Sequence, residues 1–162
     1  MIIREATDAD FLRIWPIFHK IVQAGDTYSI PTDTNRAKAK DIWLGQPLKT
    51  YVAEENQELL GTYKLSINHA GGEDHVCNCG YMVSPQARGR GIATKMCKHS
   101  QKMALELSFK AMQFNMVVAS NAGAVRLWQS LGFDIVGTLP RAFRHPALGF
   151  VDAYVMYKWL AD

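Results

Sequence analysis

Tyr81-Met82-Val83-Ser84-Pro85-Gln86-Ala87-Arg88-Gly89-Arg90-Gly91-Ile92-Ala93-Thr94 is the stretch on which the fold turns: a strand stops at a proline, and a glycine-rich turn opens the strongest helical pattern in the chain. Gly89 and Gly91 let the main chain come close to a ligand. The first N–H groups of a helix have no partner within it, and the helix dipole adds partial positive charge at that end, so phosphate fits there. Arg88 and Arg90 add fixed charge, which matches a diphosphate with further acidic groups better than a neutral ligand. A Gly-x-Gly is also compatible with a plain flexible turn and solvated arginines. Two nucleotide folds are disfavoured, because no Gly-Lys-Ser/Thr ending follows and the segment comes after a run of strands, whereas a dinucleotide fingerprint opens its domain.

Upstream, residues 48–54, 58–67 and 74–84 carry β-branched and aromatic side chains between turn signals, as successive strands do. Their connections, Asn56-Gln57 and Ala70-Gly71-Gly72, read as short hairpin loops, so an antiparallel meander is expected. Downstream, residues 91–107 return to helical spacing through Ile92, Met96, Met103 and Leu107, with Lys95, Lys98 and Lys102 outward. Residues 112–119 form an apolar strand. Residues 121–131 form a helix turning Ala124, Leu127, Trp128 and Leu131 inward, with Gly132 as its left-handed cap. Residues 133–139 and 150–159 close the pattern as strands. At the other end, residues 1–5 suggest an edge strand and Thr7 a helix cap, after which Phe11, Ile14, Trp15, Phe18 and Val22 share one face. Pro16 should bend that helix and Gly25 end it, and Thr34 is expected to cap a second short helix ending near Gly45 and Pro47. The order is β, two helices, three strands, helix, strand, helix, two strands, which describes a mixed α/β sheet covered by helices.

A chain of 162 residues with 48% hydrophobic and 20% charged content is that of one folded domain over 1–162, and global disorder is excluded. A net charge of +3 is too small and too dispersed to argue for nucleic acid or a membrane surface as partner. The three cysteines are an odd number at low density, which favours reduced thiols and a cytoplasmic setting. The N-terminus lacks an apolar leader, and no run reaches the roughly 18 apolar residues of a membrane span. His75-x-Cys77-x-Cys79 alternates on one strand face, but a structural zinc needs four ligands and no second cluster exists, so no metal is expected.

Arg88-Gly89-Arg90-Gly91-Ile92-Ala93 resembles the Arg/Gln-x-x-Gly-x-Gly/Ala signature of the GCN5-related N-acetyltransferases (GNAT), and the run from Asn121 to Phe133 resembles their second signature. Gln86-x-x-Gly89-x-Gly91 also satisfies the first pattern; the register from Arg88 is preferred because it puts the last small residue inside the first helical turn. The resemblance implies a mainly antiparallel seven-strand sheet flanked by about four helices and splayed at strands 4 and 5. It also implies acetyl-CoA as co-substrate, its diphosphate on the amides of residues 89–94 beside Arg88 and Arg90, and its pantetheine arm along Tyr81, Met82 and Val83. Asn121 then either binds the pantetheine or caps its helix, and Trp128 forms a core or coenzyme wall. The expected activity is N-acetylation of a small-molecule amine, by direct attack on the thioester, in a protein that forms a homodimer if it associates. A protein or peptide acceptor is the alternative among enzymes, and a non-catalytic acetyl-CoA sensor the alternative outside them.

Acetyl transfer needs a positioned neutral amine, donors for the developing oxyanion and a proton route to the thiolate. A main-chain N–H near Met82 or Val83, where the strand parts from its neighbour, is the expected oxyanion donor, with Val83 preferred. Asn78 and Asn115 fall on interior strands, where a carboxamide must find partners, and a ligand is able to supply them. The stretches 138–143 and 149–154 further resemble a subgroup related to the fungal azetidine-2-carboxylate acetyltransferases, which implies an amino acid or analogue held by Asn78 and Asn115, with Asn115 near the chemistry. Trp128 stands where many relatives place a tyrosine that protonates the thiolate, and indole is no acid, so water, Tyr63 or Tyr154 is left for that role. Tyr28, with Asp26, is expected in the acceptor pocket; Glu54, Glu55 and Glu58 are read as a solvated hairpin or a proton relay, and His145 as a loop residue or, alternatively, a contact to substrate.

Overall fold

The structure is a computed structural model that describes residues 1–161. Strand β1 (Ile2–Glu5) leads into α1 (Phe11–Ala24) and α2 (Arg36–Lys40), the latter continuing through a π turn at Asp41–Gly45. The meander follows as β2 (Lys49–Glu55), β3 (Glu58–Ile67) and β4 (Val76–Val83). Then come α3 (Ile92–Glu106), β5 (Ala111–Val118), α4 (Ala122–Ser130), β6 (Asp134–His145) and β7 (Gly149–Trp159). The seven strands lie in the order β1-β2-β3-β4-β5-β7-β6, every pair antiparallel except β4 with β5. This is the expected mixed sheet.

Local chemistry explains most boundaries. Asn56 and Gln57 both take positive φ, 49° and 65°, the two-residue turn that matches the twist of a tight hairpin. The connection between β3 and β4 is longer than a hairpin loop and holds a 3-10 turn at Gly71–Glu73. Asn35, not Thr34, caps α2: its Oδ1 accepts the Lys38 N–H at 2.9 Å, while the Thr34 hydroxyl donates to the Pro31 carbonyl at 2.6 Å. Helix α1 ends at Gly25, whose φ of 68° lets its N–H reach the Val22 carbonyl.

Helices cover both faces. Phe11, Ile14, Ile17, Phe18 and Val22 of α1 pack with Trp43, Val52 and Met82 on one side. On the other, Ile92, Met96, Cys97 and Ala104 of α3 and Trp128 of α4 pack with Tyr63, Leu65, Cys77, Cys79, Phe114 and Phe133. Gly61 permits the close seat of α3, since a Cβ there would fall 2.9 Å from both the Met96 Cε and the Met82 carbonyl oxygen. Leu107, expected inward, is exposed because α3 stops one residue before it. All three cysteines are buried free thiols.

Two features set up the site. Strand β5 pairs with β4 only where Val76, Cys77 and Asn78 meet Ala111, Met112 and Gln113, so the rest of β4 has no strand on that edge. Strand β6 runs past the expected end at residue 139 to His145, with its ladder shifted between Leu139 and Phe143. Arg141 lies in that shift at φ 54°, its N–H held by Asp152 Oδ1 at 2.8 Å. Among the described residues no helix is long and apolar enough to cross a membrane.

Candidate active site

The turn between β4 and α3 is built to leave donors open. Pro85–Ala87 makes a 3-10 turn, Arg88 is extended, and Gly89 and Gly91 sit at φ 77° and 72°. Such values strain any L side chain, which is why glycine stands at both places. A Cβ on either would meet no protein atom within 4 Å, so both glycines face open space. No side chain caps α3, and its first intrahelical bond runs from the Lys95 N–H to the Gly91 carbonyl at 3.1 Å. The N–H groups of Ile92, Ala93 and Thr94 therefore point out of the helix start.

The free edge of β4 is the second element. Ser84 N–H donates to the Leu60 carbonyl at 2.8 Å, and the register with β3 is unbroken from Gly61 opposite Val83 to Ile67 opposite Cys77. Alternation of an antiparallel ladder then turns the main-chain groups of Met82 and Gly80 to β3, and those of Val83 and Tyr81 to the edge that β5 leaves open. The Tyr81 carbonyl on that edge accepts the Tyr28 hydroxyl at 2.7 Å. Burial pushes the Tyr28 phenol well above its ordinary pKa, so it stays a donor.

Two cavities open on this edge and share Thr27, Tyr28, Tyr81, Asn121, Ala124 and Trp128 as a common wall. The larger, about 600 Å³, runs from Met82 and Val83 past Arg88, Gly89 and Ala93 to Ser120 and Gly123, with Asp26 and His145 at its border. The smaller, about 360 Å³, lies between Ser29, Ile30 and Ile42 on one side and Phe114, Asn115 and Met116 on the other, over Lys64, Asn78 and Gly80. Trp128 is 8% exposed and packs between Tyr81 and Phe114, ring centroids 5.0 and 5.2 Å away.

The expected site residues divide accordingly. Tyr81, Met82, Val83, Arg88, Gly89, Ala93, Asn121 and Trp128 border the larger cavity, and Tyr28, Asn78 and Asn115 the smaller. Arg90 does not face it: its guanidinium is bound to Glu55 at 2.8 Å, which leaves Arg88 as the arginine lining the cavity. Gly91, Ile92 and Thr94 border neither cavity, and Ile92 is buried in the core; of residues 91–94 only Ala93 lines the larger one. Asn121 caps α4, its Oδ1 accepting the Ala124 N–H at 3.2 Å, and borders both cavities as well.

Several expectations are corrected. Asn115 is exposed instead of interior: it lies beyond the last pair of β4 and β5, where the ladder of β5 with β7 shifts between Phe114 and Val117; its amide nitrogen donates to Asn68 Oδ1 and its amide oxygen accepts from Gln113 Nε2, both at 2.8 Å. Asn78 donates to the Gln113 carbonyl at 2.9 Å across the last paired position of β4 and β5. Tyr154 borders neither cavity, and Tyr63 is in the core with its hydroxyl 2.7 Å from His99 Nδ1. Glu54 is bound by Arg4 and Arg13 at 2.8 and 2.9 Å, which draws its carboxyl below its ordinary pKa and removes it from any relay. His145, at the end of β6, does reach the larger cavity, with Nδ1 accepting the N–H groups of Ala147 and Leu148.

Lys64 is the functional candidate that sequence reading passes over. A lysine in a strand reads as solvent-facing, yet it lines the smaller cavity and burial lowers its pKa. Among the described residues, no group of three or more His, Cys, Asp or Glu side chains is placed to hold a metal ion.

Comparison with known proteins bears on this arrangement. The pattern of the acetyltransferase (GNAT) family matches residues 13–133. N-acetyltransferase aca1 of Schizosaccharomyces pombe is 30% identical over 151 residues, spanning 83% of this chain and 72% of the relative. A GCN5-related N-acetyltransferase from Kribbella flavida is 39% identical and superposes with a TM-score of 0.93 over 98% of this chain and 97% of its own. A phosphinothricin acetyltransferase from Sinorhizobium meliloti, solved with acetyl-CoA, shares the fold at a TM-score of 0.88 and 20% identity, over 99% of this chain and 88% of its own.

Proposed function

The chain belongs to the acetyltransferase (GNAT) family, and on that premise we propose that it moves an acetyl group from acetyl-CoA to the amine of a small molecule, an amino acid or analogue. The observation that carries the reading is the meeting of two cavities over the open edge of β4, one reaching the uncapped start of α3 and the other small and separate. The residues fit the co-substrate. The amides at 92–94 lack protein partners, Gly89 and Gly91 leave room above them, and Arg88 supplies charge. When bound, acetyl-CoA supplies the thioester.

The chain's own groups have separable tasks. The N–H of Val83, on the free edge, donates to the carbonyl oxygen as negative charge develops on it, and a preorganised donor in a partly dry site is worth more than one in water. Trp128 and Tyr81 form the wall against which the reacting groups are brought together. Tyr28 fixes the Tyr81 carbonyl and so keeps that edge from closing on itself. In the reaction a C–N bond forms as the C–S bond breaks, the amine loses one proton and the thiolate gains one.

A cavity of about 360 Å³ supports a small acceptor over an extended peptide. The test is incubation with acetyl-CoA and a panel of amines, following free thiol. Release that depends on small amines is expected. Release only with peptides or proteins would move the acceptor class, and coenzyme binding without release to any amine would overturn the enzyme reading in favour of a sensor.

A further inference from the structure

We infer that Lys64 selects the acceptor: its ammonium receives the carboxylate of an amino acid whose amine faces the open edge of β4. This rests on the acetyltransferase reading above and names what the smaller cavity recognises.

Lys64 and Gly80 are cross-strand partners in the β3 and β4 ladder. The lysine stem lies over Gly80: a Cβ there would stand 3.7 Å from Lys64 Cε and 3.4 Å from the Tyr28 hydroxyl, in ordinary contact with both. The ammonium sits 5.6 Å from the centre of the Trp43 ring and reaches the Ile42 carbonyl at only 3.4 Å. Trp43 is itself fixed, its indole N–H donating to Thr62 Oγ1 at 3.0 Å, so the cation has a rigid platform. None of the ion pairs among the described residues includes Lys64. Among the described residues, no carboxylate lines its cavity.

A half-buried cation without an anionic partner is costly for the folded chain, and an incoming carboxylate removes that cost. Burial already depresses the Lys64 pKa, which an anionic ligand would reverse. Asn78 is two residues from Gly80 on the same strand face; its Nδ2 donates one N–H to the Gln113 carbonyl, and its Oδ1 is left to accept from the acceptor. The cavity thus offers a cation at Lys64 for the carboxylate and an acceptor oxygen at Asn78 for an N–H of the amine, a match for an amino acid.

The experiment compares L-amino acids with their primary carboxamides as acceptors, in the wild type and in Lys64→Met, by acetyl-CoA-dependent thiol release. The ratio of kcat/KM for acid over amide should fall by about tenfold or more in the variant, mainly through KM for the acid. Lys64→Arg should keep part of the preference. Lys64 does not border the larger cavity, so unchanged acetyl-CoA affinity by calorimetry shows that a variant is folded. Should Lys64→Met fail to fold, Lys64→Gln carries the same comparison. An acid-to-amide ratio that is the same in wild type and variant would overturn the role of Lys64 while leaving the enzyme intact. No release with any amine would overturn the function itself.

Discussion

Gly91 shows how a single residue carries both stability and binding here. At φ 72° with nothing within 4 Å of a would-be Cβ, it resists substitution through backbone strain, not crowding. Gly91→Ala should therefore cost about 1 kcal/mol in urea unfolding and little acetyl-CoA affinity. Gly91→Asp adds a negative charge where the helix start favours an anion, and should weaken acetyl-CoA binding roughly tenfold further by calorimetry; equal affinity in the two variants would remove the diphosphate from this turn. Tyr28 makes a different residue-scale case. Its hydroxyl satisfies the Tyr81 carbonyl at 2.7 Å on an edge without a strand partner. Tyr28→Phe should lower stability by about 1–3 kcal/mol and raise KM for the amine, and a variant as stable as the parent would mean that water replaces the phenol. The glycines of this turn and Arg88 were legible in the sequence because their chemistry is local, whereas the pairing of Arg90 with Glu55 from the β2–β3 hairpin was not. Lys64 was not, because its burial depends on Trp43 and Ile42 arriving from a helix elsewhere in the chain.

At the scale of elements, an ion-paired knot holds α1 to the sheet. Arg4 on β1 binds Asp10 and Glu54 at 2.8 Å each, and Arg13 on α1 joins Glu54 at 2.9 Å. Hydrogen bonds from Arg4 are the main cause that holds the buried Asp10 carboxyl well below its ordinary value of 3.8. A depressed carboxylate contributes its stability above the unfolded value and loses it as pH falls toward the folded one. Between pH 4 and 2 the native protein should thus lose up to about 1.4 kcal/mol per pH unit on account of Asp10, and Asp10→Asn should flatten that part of the unfolding profile. Parallel profiles for parent and variant would contradict this. The meander from β2 to β4 was readable because alternation and the Asn56-Gln57 turn agree. The extension of β6 to His145 was not, since Pro140 and the left-handed Arg141 interrupt its pattern and most of its side chains are exposed. That extension brings His145 to the larger cavity.

For the whole molecule, the proposed function rests on an interruption in the sheet. Helices cover both faces of the sheet, two cavities lie along the edge where β5 stops pairing with β4, and the larger of them reaches Gly89 and Ala93 at the uncapped start of α3. The order of elements predicted this opening only through family resemblance, because no residue of β4 or β5 announces where a ladder ends. The wall shared by the two cavities, Tyr81 and Trp128 with Tyr28 behind them, is a product of tertiary packing and could not be read from spacing. The most direct measurement is amide hydrogen exchange, residue by residue, with and without saturating acetyl-CoA. Exchange at Ile92, Ala93 and Thr94, which have no hydrogen-bond partner among the described residues, should slow markedly on binding. Unchanged exchange at those three amides, with protection arising elsewhere, would contradict the placement of the coenzyme at the start of α3.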